Sequence, residues 1–150
     1  MATTFLGVNA TLKDTGTANT IEPEMNGGIV KWVYDSYVTD GTETTGDLIE
    51  LGGLLLPAEA RIVGWIVDCG SLGGSCTLTL GTKADTDEFL TATNFGSAAI
   101  KSSFNGDGIA SSTGFEIAAG DGQHIQMLVG AGTLASSITV KVAVLYAAKG

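Results

Sequence analysis

Arg61-Ile62-Val63-Gly64-Trp65-Ile66-Val67-Asp68-Cys69 is the stretch that decides the fold class of this chain. In an extended conformation Val63, Trp65, Val67 and Cys69 share one side, and Ile62, Gly64 and Ile66 share the other. The run is short, rich in β-branched residues and closed by Gly70, which is the pattern of a strand and not of a helix. Both sides are largely apolar. The strand therefore belongs at the centre of a sheet or against another subunit.

Outward from this strand, the same period-2 alternation recurs between turn signals. Val30, Trp32 and Tyr34 alternate with Lys31, Val33 and Asp35. Residues 47–51 form a short strand that Gly52-Gly53 is expected to break, and Pro57 sits in an apolar connection. Cys76, Leu78 and Leu80 share a face. Further strands are expected at 97–104, 114–118 and 123–129, the last with Ile125, Met127 and Val129 inward and His124 and Gln126 outward. At the end of the chain Ile138, Val140, Val142, Val144 and Tyr146 alternate against Thr139, Lys141 and Ala143. One short helical turn is expected at Asp85-Thr86-Asp87-Glu88, where acidic residues precede Phe89-Leu90. About eight strands spaced by turns predict an all-β antiparallel sandwich, jelly-roll-like in topology.

Composition agrees. The chain has 150 residues, 22 of them Gly and only 2 Pro, the length of one domain with many tight turns. Residues 1–27 differ from the rest, being rich in Thr, Asn and Gly with few large apolar residues: Phe5, Leu6, Val8, Leu12 and Ile21. They read as an extended N-terminal arm ahead of a sandwich domain at 28–150, with Asn26-Gly27 as a turn between them. The arm is either a partner-binding segment or a frayed terminus.

The formal net charge is −9, and the 7 basic residues are scattered singly from Lys13 to Lys149. Without a basic stripe, binding to nucleic acid is not expected. No basic n-region with an apolar h-region opens the chain, and no apolar run approaches the length of a membrane span. The expected product is therefore made in the cytoplasm and makes no use of a membrane.

Few residues offer chemistry. Cys69 and Cys76 bracket a six-residue loop; matching apolar faces pairs Trp65 with Leu80 and Val67 with Leu78, which sets the cysteines opposite each other as a disulfide or as paired free thiols. His124 is the one histidine and has no nucleophile motif near it, so no catalytic residue is expected. Two thiols and a distant His do not make a zinc site, and Asp85, Asp87 and Glu88 lack EF-hand spacing, so no metal or cofactor is expected. Trp32 and Tyr34 read as core because they share a face with Val30, whereas Tyr37 falls on the opposite face as a surface contact. An exposed aromatic platform would instead suit a carbohydrate-binding or tail-fibre receptor-binding sandwich.

Gly46-Asp47-Leu48-Ile49-Glu50-Leu51-Gly52, followed by Leu56-Pro57-Ala58-Glu59-Ala60-Arg61-Ile62-Val63, resembles small head proteins of tailed bacteriophages. Leu72-Gly73, Leu78-Thr79-Leu80-Gly81, residues 85–89 and the final strand at 138–146 continue the likeness. The resemblance, which covers roughly 46–146, is to capsid decoration, or cement, proteins. It implies a non-enzymatic virion protein, trimeric, bound to the major capsid protein on the capsid surface.

Overall fold

The alternating stretches become eight strands in the computed structural model, which describes residues 30–108, 114 and 116–148. They are β1 (Val30–Val38), β2 (Leu48–Leu55), β3 (Arg61–Cys69), β4 (Thr77–Thr82), β5 (Leu90–Asn94), β6 (Ala99–Ser102), β7 (His124–Ala131) and β8 (Thr139–Ala147). The arm at 1–27, with Phe5, Leu6, Val8, Leu12 and Ile21, lies outside the described residues.

Two four-stranded antiparallel sheets result, ordered β1-β8-β3-β6 and β2-β7-β4-β5. β1 pairs with β8, β2 with β7, β3 with β6 and β4 with β5. The chain is thus one long hairpin, rolled so that successive rungs fall in alternate sheets, with β3·β8 and β4·β7 closing each sheet. That winding is a jelly roll.

The inner faces meet in a single core. Trp65 and Val67 of β3 and Val140, Val142 and Val144 of β8 lie opposite Leu78 and Leu80 of β4 and Ile125, Met127 and Val129 of β7. Trp65 is 0% exposed. Phe89, Phe95 and Leu72 close the ends between the sheets. Each is supplied by a loop whose backbone is tied down, as in Leu72 N–H to Phe95 O at 2.9 Å and Phe89 N–H to Leu80 O at 2.9 Å.

Several expectations are corrected. β3 and β4 do not form a hairpin: Cys69 faces Val140 of β8, and Leu78 faces Val129 of β7. Apolar alternation is satisfied equally by strands side by side and by strands facing across a core, so parity alone does not choose between them. Cys69 and Cys76 are both buried free thiols. Gly52-Gly53 does not end β2, which continues to Leu55 with a register shift after Glu50. A second shift, between Ile62 and Gly64, turns Ile62 into the core and Val63 outward.

Residues 85–88 form turns without a helix: the Thr82 N–H bonds Asp85 O at 2.7 Å, which folds the chain back into β5, a strand the sequence pattern did not reveal. In place of a strand at 114–118 there is an isolated bridge between Arg61 and Glu116. Gln126, expected outside, is buried: it stands opposite Gly81, over which the backbone of residues 85–87 packs.

Candidate interaction surface

The outer face of the β1-β8-β3-β6 sheet carries the most unusual chemistry of the described residues. β1 turns Val33 and Tyr37 onto the core and leaves Val30, Trp32, Tyr34 and Val38 exposed. This reverses the expected assignment of Trp32 and Tyr34 to the core and of Tyr37 to the surface. Alternation sorts residues into two sets, and both sets of β1 contain an aromatic ring; a tertiary contact decides which set turns inward.

That contact is Glu43. The Tyr37 hydroxyl donates to Glu43 Oε1 at 2.5 Å, and the carboxylate also accepts the Asp40 N–H at 2.9 Å and the Gly41 N–H at 3.0 Å. Burial pushes the Glu43 carboxyl up, but these donors outweigh it and hold it at about 2. The same bond, with burial and the nearby negative charges of Glu43 and Asp40, pushes the Tyr37 phenol up to about 12. Thr39 completes the node: its N–H bonds Ile138 O at 2.9 Å, and its carbonyl accepts from Ser137 N–H at 2.7 Å. The β1–β2 loop is thereby fastened to the β7–β8 loop, which fixes the orientation of β1.

Across the sheet the exposed residues align in rows. Trp32 stands opposite Leu145, and Leu145 opposite Gly64; the next row is Tyr34, Ala143 and Ile66. Phe104 fills the place beyond Leu145. A Cβ on Gly64 would lie 2.3 Å from Phe104 Cζ, so the absence of a side chain lets the ring lie on the strand. A single 3-10 turn, Ser103–Asn105, holds it there: Ser102 Oγ accepts the Asn105 N–H, and Ser103 Oγ accepts the Trp65 N–H at 3.1 Å. Trp32 is 67% exposed, Phe104 59% and Ile100, beside Asp68, 62%. The Trp32 and Tyr34 rings lie 6.3 Å apart with planes tilted by 59°, within the range of favourable ring contacts.

Ion pairs bound this apolar stripe. Arg61 meets Glu116 at 2.7 Å at one end and Lys141 meets Asp68 at 3.6 Å at the other, whereas the Lys101–Asp107 pair at 3.7 Å springs from the side of β6 opposite Ile100, since Lys101 is paired with the inward-facing Val67. The sheet is locally charge-balanced in a chain of net charge −9. Aromatic centre and polar rim are the anatomy of a protein–protein contact surface. Sequence parity identified the members Trp32 and Tyr34 but put them inside; Phe104 and Ile100 gave no signal, because their placement depends on the β3–β6 pairing and on Gly64.

The other candidates lie elsewhere. His124 is exposed at the start of β7, in a depression of about 130 Å³ lined by Glu50, Leu51, Lys83, Ile125 and Gln126. That is well below the several hundred Å³ of a typical small-molecule site. Asp85, Asp87 and Glu88 do not line this depression. A hydrogen bond with Asp85 raises the Asp87 carboxyl, and burial followed by the charges of Asp85 and Asp87 raises that of Glu88. Among the described residues no group of three or more His, Cys, Asp and Glu side chains is arranged to hold a metal ion, and no helix is long and apolar enough to cross a membrane.

In fold the chain is similar to two solved structures of phage particles. One is a chain of the capsid of Ralstonia phage GP4, with 23% identity and a TM-score of 0.65 over 83% of this chain and 87% of that one. The other is a chain of the cyanophage Pam1 capsid asymmetric unit, with 24% identity and a TM-score of 0.62 over 80% and 85%. No protein-family model matches the sequence, and no curated protein does.

Proposed function

We propose that this chain is a structural virion protein that binds the outside of a phage capsid and stabilises contacts between major capsid subunits. The observation that carries the reading is the similarity in fold, over 83% and 80% of this chain, to chains from two phage capsids. A small domain with an exposed aromatic face, and no reactive groups gathered among the described residues, suits a subunit whose task is contact, not catalysis. Residues 1–27 extend this role: Phe5, Leu6, Val8, Leu12 and Ile21 give an arm that orders across a neighbouring subunit. Repetition over a shell makes weak individual contacts sufficient. The protein acts as a homo-oligomer, a trimer in this reading, and uses neither cofactor nor metal.

Co-sedimentation with purified heads tests the proposal. The chain should pellet with assembled shells at a fixed stoichiometry and remain in solution with free capsid subunits. Absence from every shell preparation of its source particle would end the proposal.

The exposure of Trp32 and Tyr34 favours one second reading, a glycan-binding sandwich, since a stacking platform needs accessible rings. Saturable binding on a glycan array that Trp32→Ala abolishes would support it. Trp65, wholly buried, takes no part.

A further inference from the structure

We infer that the Trp32–Tyr34–Phe104 face is the surface through which copies of this chain associate with one another, and that its occupant is a second copy. The inference deepens the oligomeric part of the proposed function but does not depend on a capsid, because it concerns the free protein.

The first argument is area. Trp32, Tyr34 and Phe104 are each about half to two-thirds uncovered, leaving on the order of 350 Å² of ring surface from side chains that offer ~200 Å² apiece. Val30, Val38 and Ile100 are exposed around them, with Leu145, Ala143, Ile66 and Val63 partly exposed between. The patch reaches or exceeds the ~300–600 Å² that a monomer ordinarily presents. With its polar rim it approaches the ~800 Å² per partner of a stable interface.

The second argument is charge. Two chains of net charge −9 repel over most of their surfaces. On this face Arg61 and Lys141, two of the chain's 7 basic residues, are each matched by an acid. The face thus offers another copy apolar area without an excess of like charge.

The tryptophans supply the assay. Of the two in the chain, Trp65 is 0% exposed and Trp32 is 67% exposed in a single copy, so acrylamide quenching reports Trp32 alone. The experiment measures quenching and mass by light scattering across a dilution series of the full chain, without heads. The expected result is a mass that is a multiple of 15.2 kDa at micromolar concentration, with Trp32 protected, and quenching that rises several-fold as the mass falls on dilution. Tyr34→Lys, a central and exposed position, should give 15.2 kDa with Trp32 open at every concentration; Tyr34→Phe should behave as the native chain. Native far- and near-ultraviolet dichroism verifies that the Lys variant is folded.

Three outcomes overturn the inference. A monomer with Trp32 open throughout shows the face to be unoccupied. A monomer with Trp32 protected at all dilutions, and exposed when residues 1–27 are deleted, assigns the face to the chain's own arm. Protection that appears only when heads are added assigns it to the shell. Failure of head binding alone leaves the mass and quenching results unaffected, so the two proposals fail separately.

Discussion

Replacing Glu43 by Gln should convert a stability that depends on acid into one that does not. The folded carboxyl sits at about 2 against an ordinary 4.5, so the folded state keeps this group ionised where the unfolded chain takes up a proton. A depressed carboxyl contributes fully above the unfolded value, and the contribution drains away as pH falls from about 5 to about 2. Each tenfold change in proton affinity is worth about 1.4 kcal/mol, so the shift sets a ceiling of about 3.5 kcal/mol. Hydrogen bonds to an ionised group contribute about 1.5–3 kcal/mol net. Gln also turns an amide N–H₂ toward one of the three donors that Glu43 satisfies. We therefore expect Glu43→Gln to cost about 2 kcal/mol at neutral pH.

Urea denaturation of both proteins at pH 7, 5, 4, 3 and 2 measures the difference directly, and carboxyls common to the two cancel. The gap should stay constant from pH 7 to 5 and close towards pH 2. On the alkaline side Tyr37, pushed up to about 12, contributes below its unfolded value of 10 and loses that contribution as pH rises from 10 to 12; Tyr37→Phe should remove the alkaline loss. The acid and alkaline effects arise from one bond and are not additive. A gap equal at pH 7 and pH 2.5 would refute the reasoning, because Glu43 would then act by packing and not by its charge.

Three further outcomes follow from close approaches and burial. Gly64→Ala should cost about 2 kcal/mol in chemical denaturation, since its Cβ would displace the exposed Phe104 ring and also lie 2.9 Å from Ser103 Oγ, the acceptor of the Trp65 N–H; the NMR shifts of the Phe104 ring should move and self-association should weaken. Gly81→Ala should cost about 3 kcal/mol in chemical denaturation, because its Cβ would lie 2.1 Å from the Asp85 carbonyl oxygen, in backbone with no room to give. Cys69 and Cys76 are both buried and burial pushes the Cys69 thiol up to about 11, so Ellman's reagent at pH 8 should titrate neither in the native protein and both in denaturant.

Most strands were legible because burial on one side of a sheet imprints a period of 2, and Arg61–Cys69 was read with its observed bounds; the edge strand β5, with only Leu90 buried and one other residue partly so, carries too little alternation to be seen, and the strand expected at 114–118 is a single bridge. Three things that alternation does not encode were not legible. Which strand lies beside which was hidden, since Cys69 and Cys76 look paired whether they share a sheet or face each other across a core. Which set of an edge strand turns inward was hidden too: β1 has one neighbour, and Tyr37 turned inward through Glu43, six residues away. Irregularities were the third, as the register shift at Ile62–Gly64 reverses the sides of Ile62 and Val63. The interaction surface combines all three, because Trp32 depends on the orientation of β1 and Phe104 on Gly64. The physical character of the chain, an acidic all-β domain with few reactive groups, needed none of these details.

Deleting residues 1–27 separates the arm from the aromatic face. Among the described residues every strand pairing begins at or after Val30, so the truncated chain should keep its stability to within about 0.5 kcal/mol. If the arm grips the shell while the face joins copies, truncation should weaken head binding and leave the solution mass a multiple of the truncated chain's own. Tyr34→Lys should do the converse, leaving each arm intact but isolated. Its head affinity should nevertheless fall by about 10²-fold or more, because linked copies bind with an avidity that a single arm lacks. The two changes together should add little beyond truncation alone, since joining copies that have lost their arms multiplies nothing. A truncated chain that unfolds would move the domain boundary into the arm; a truncated chain that binds heads at full strength would transfer the grip on the shell to the sandwich itself.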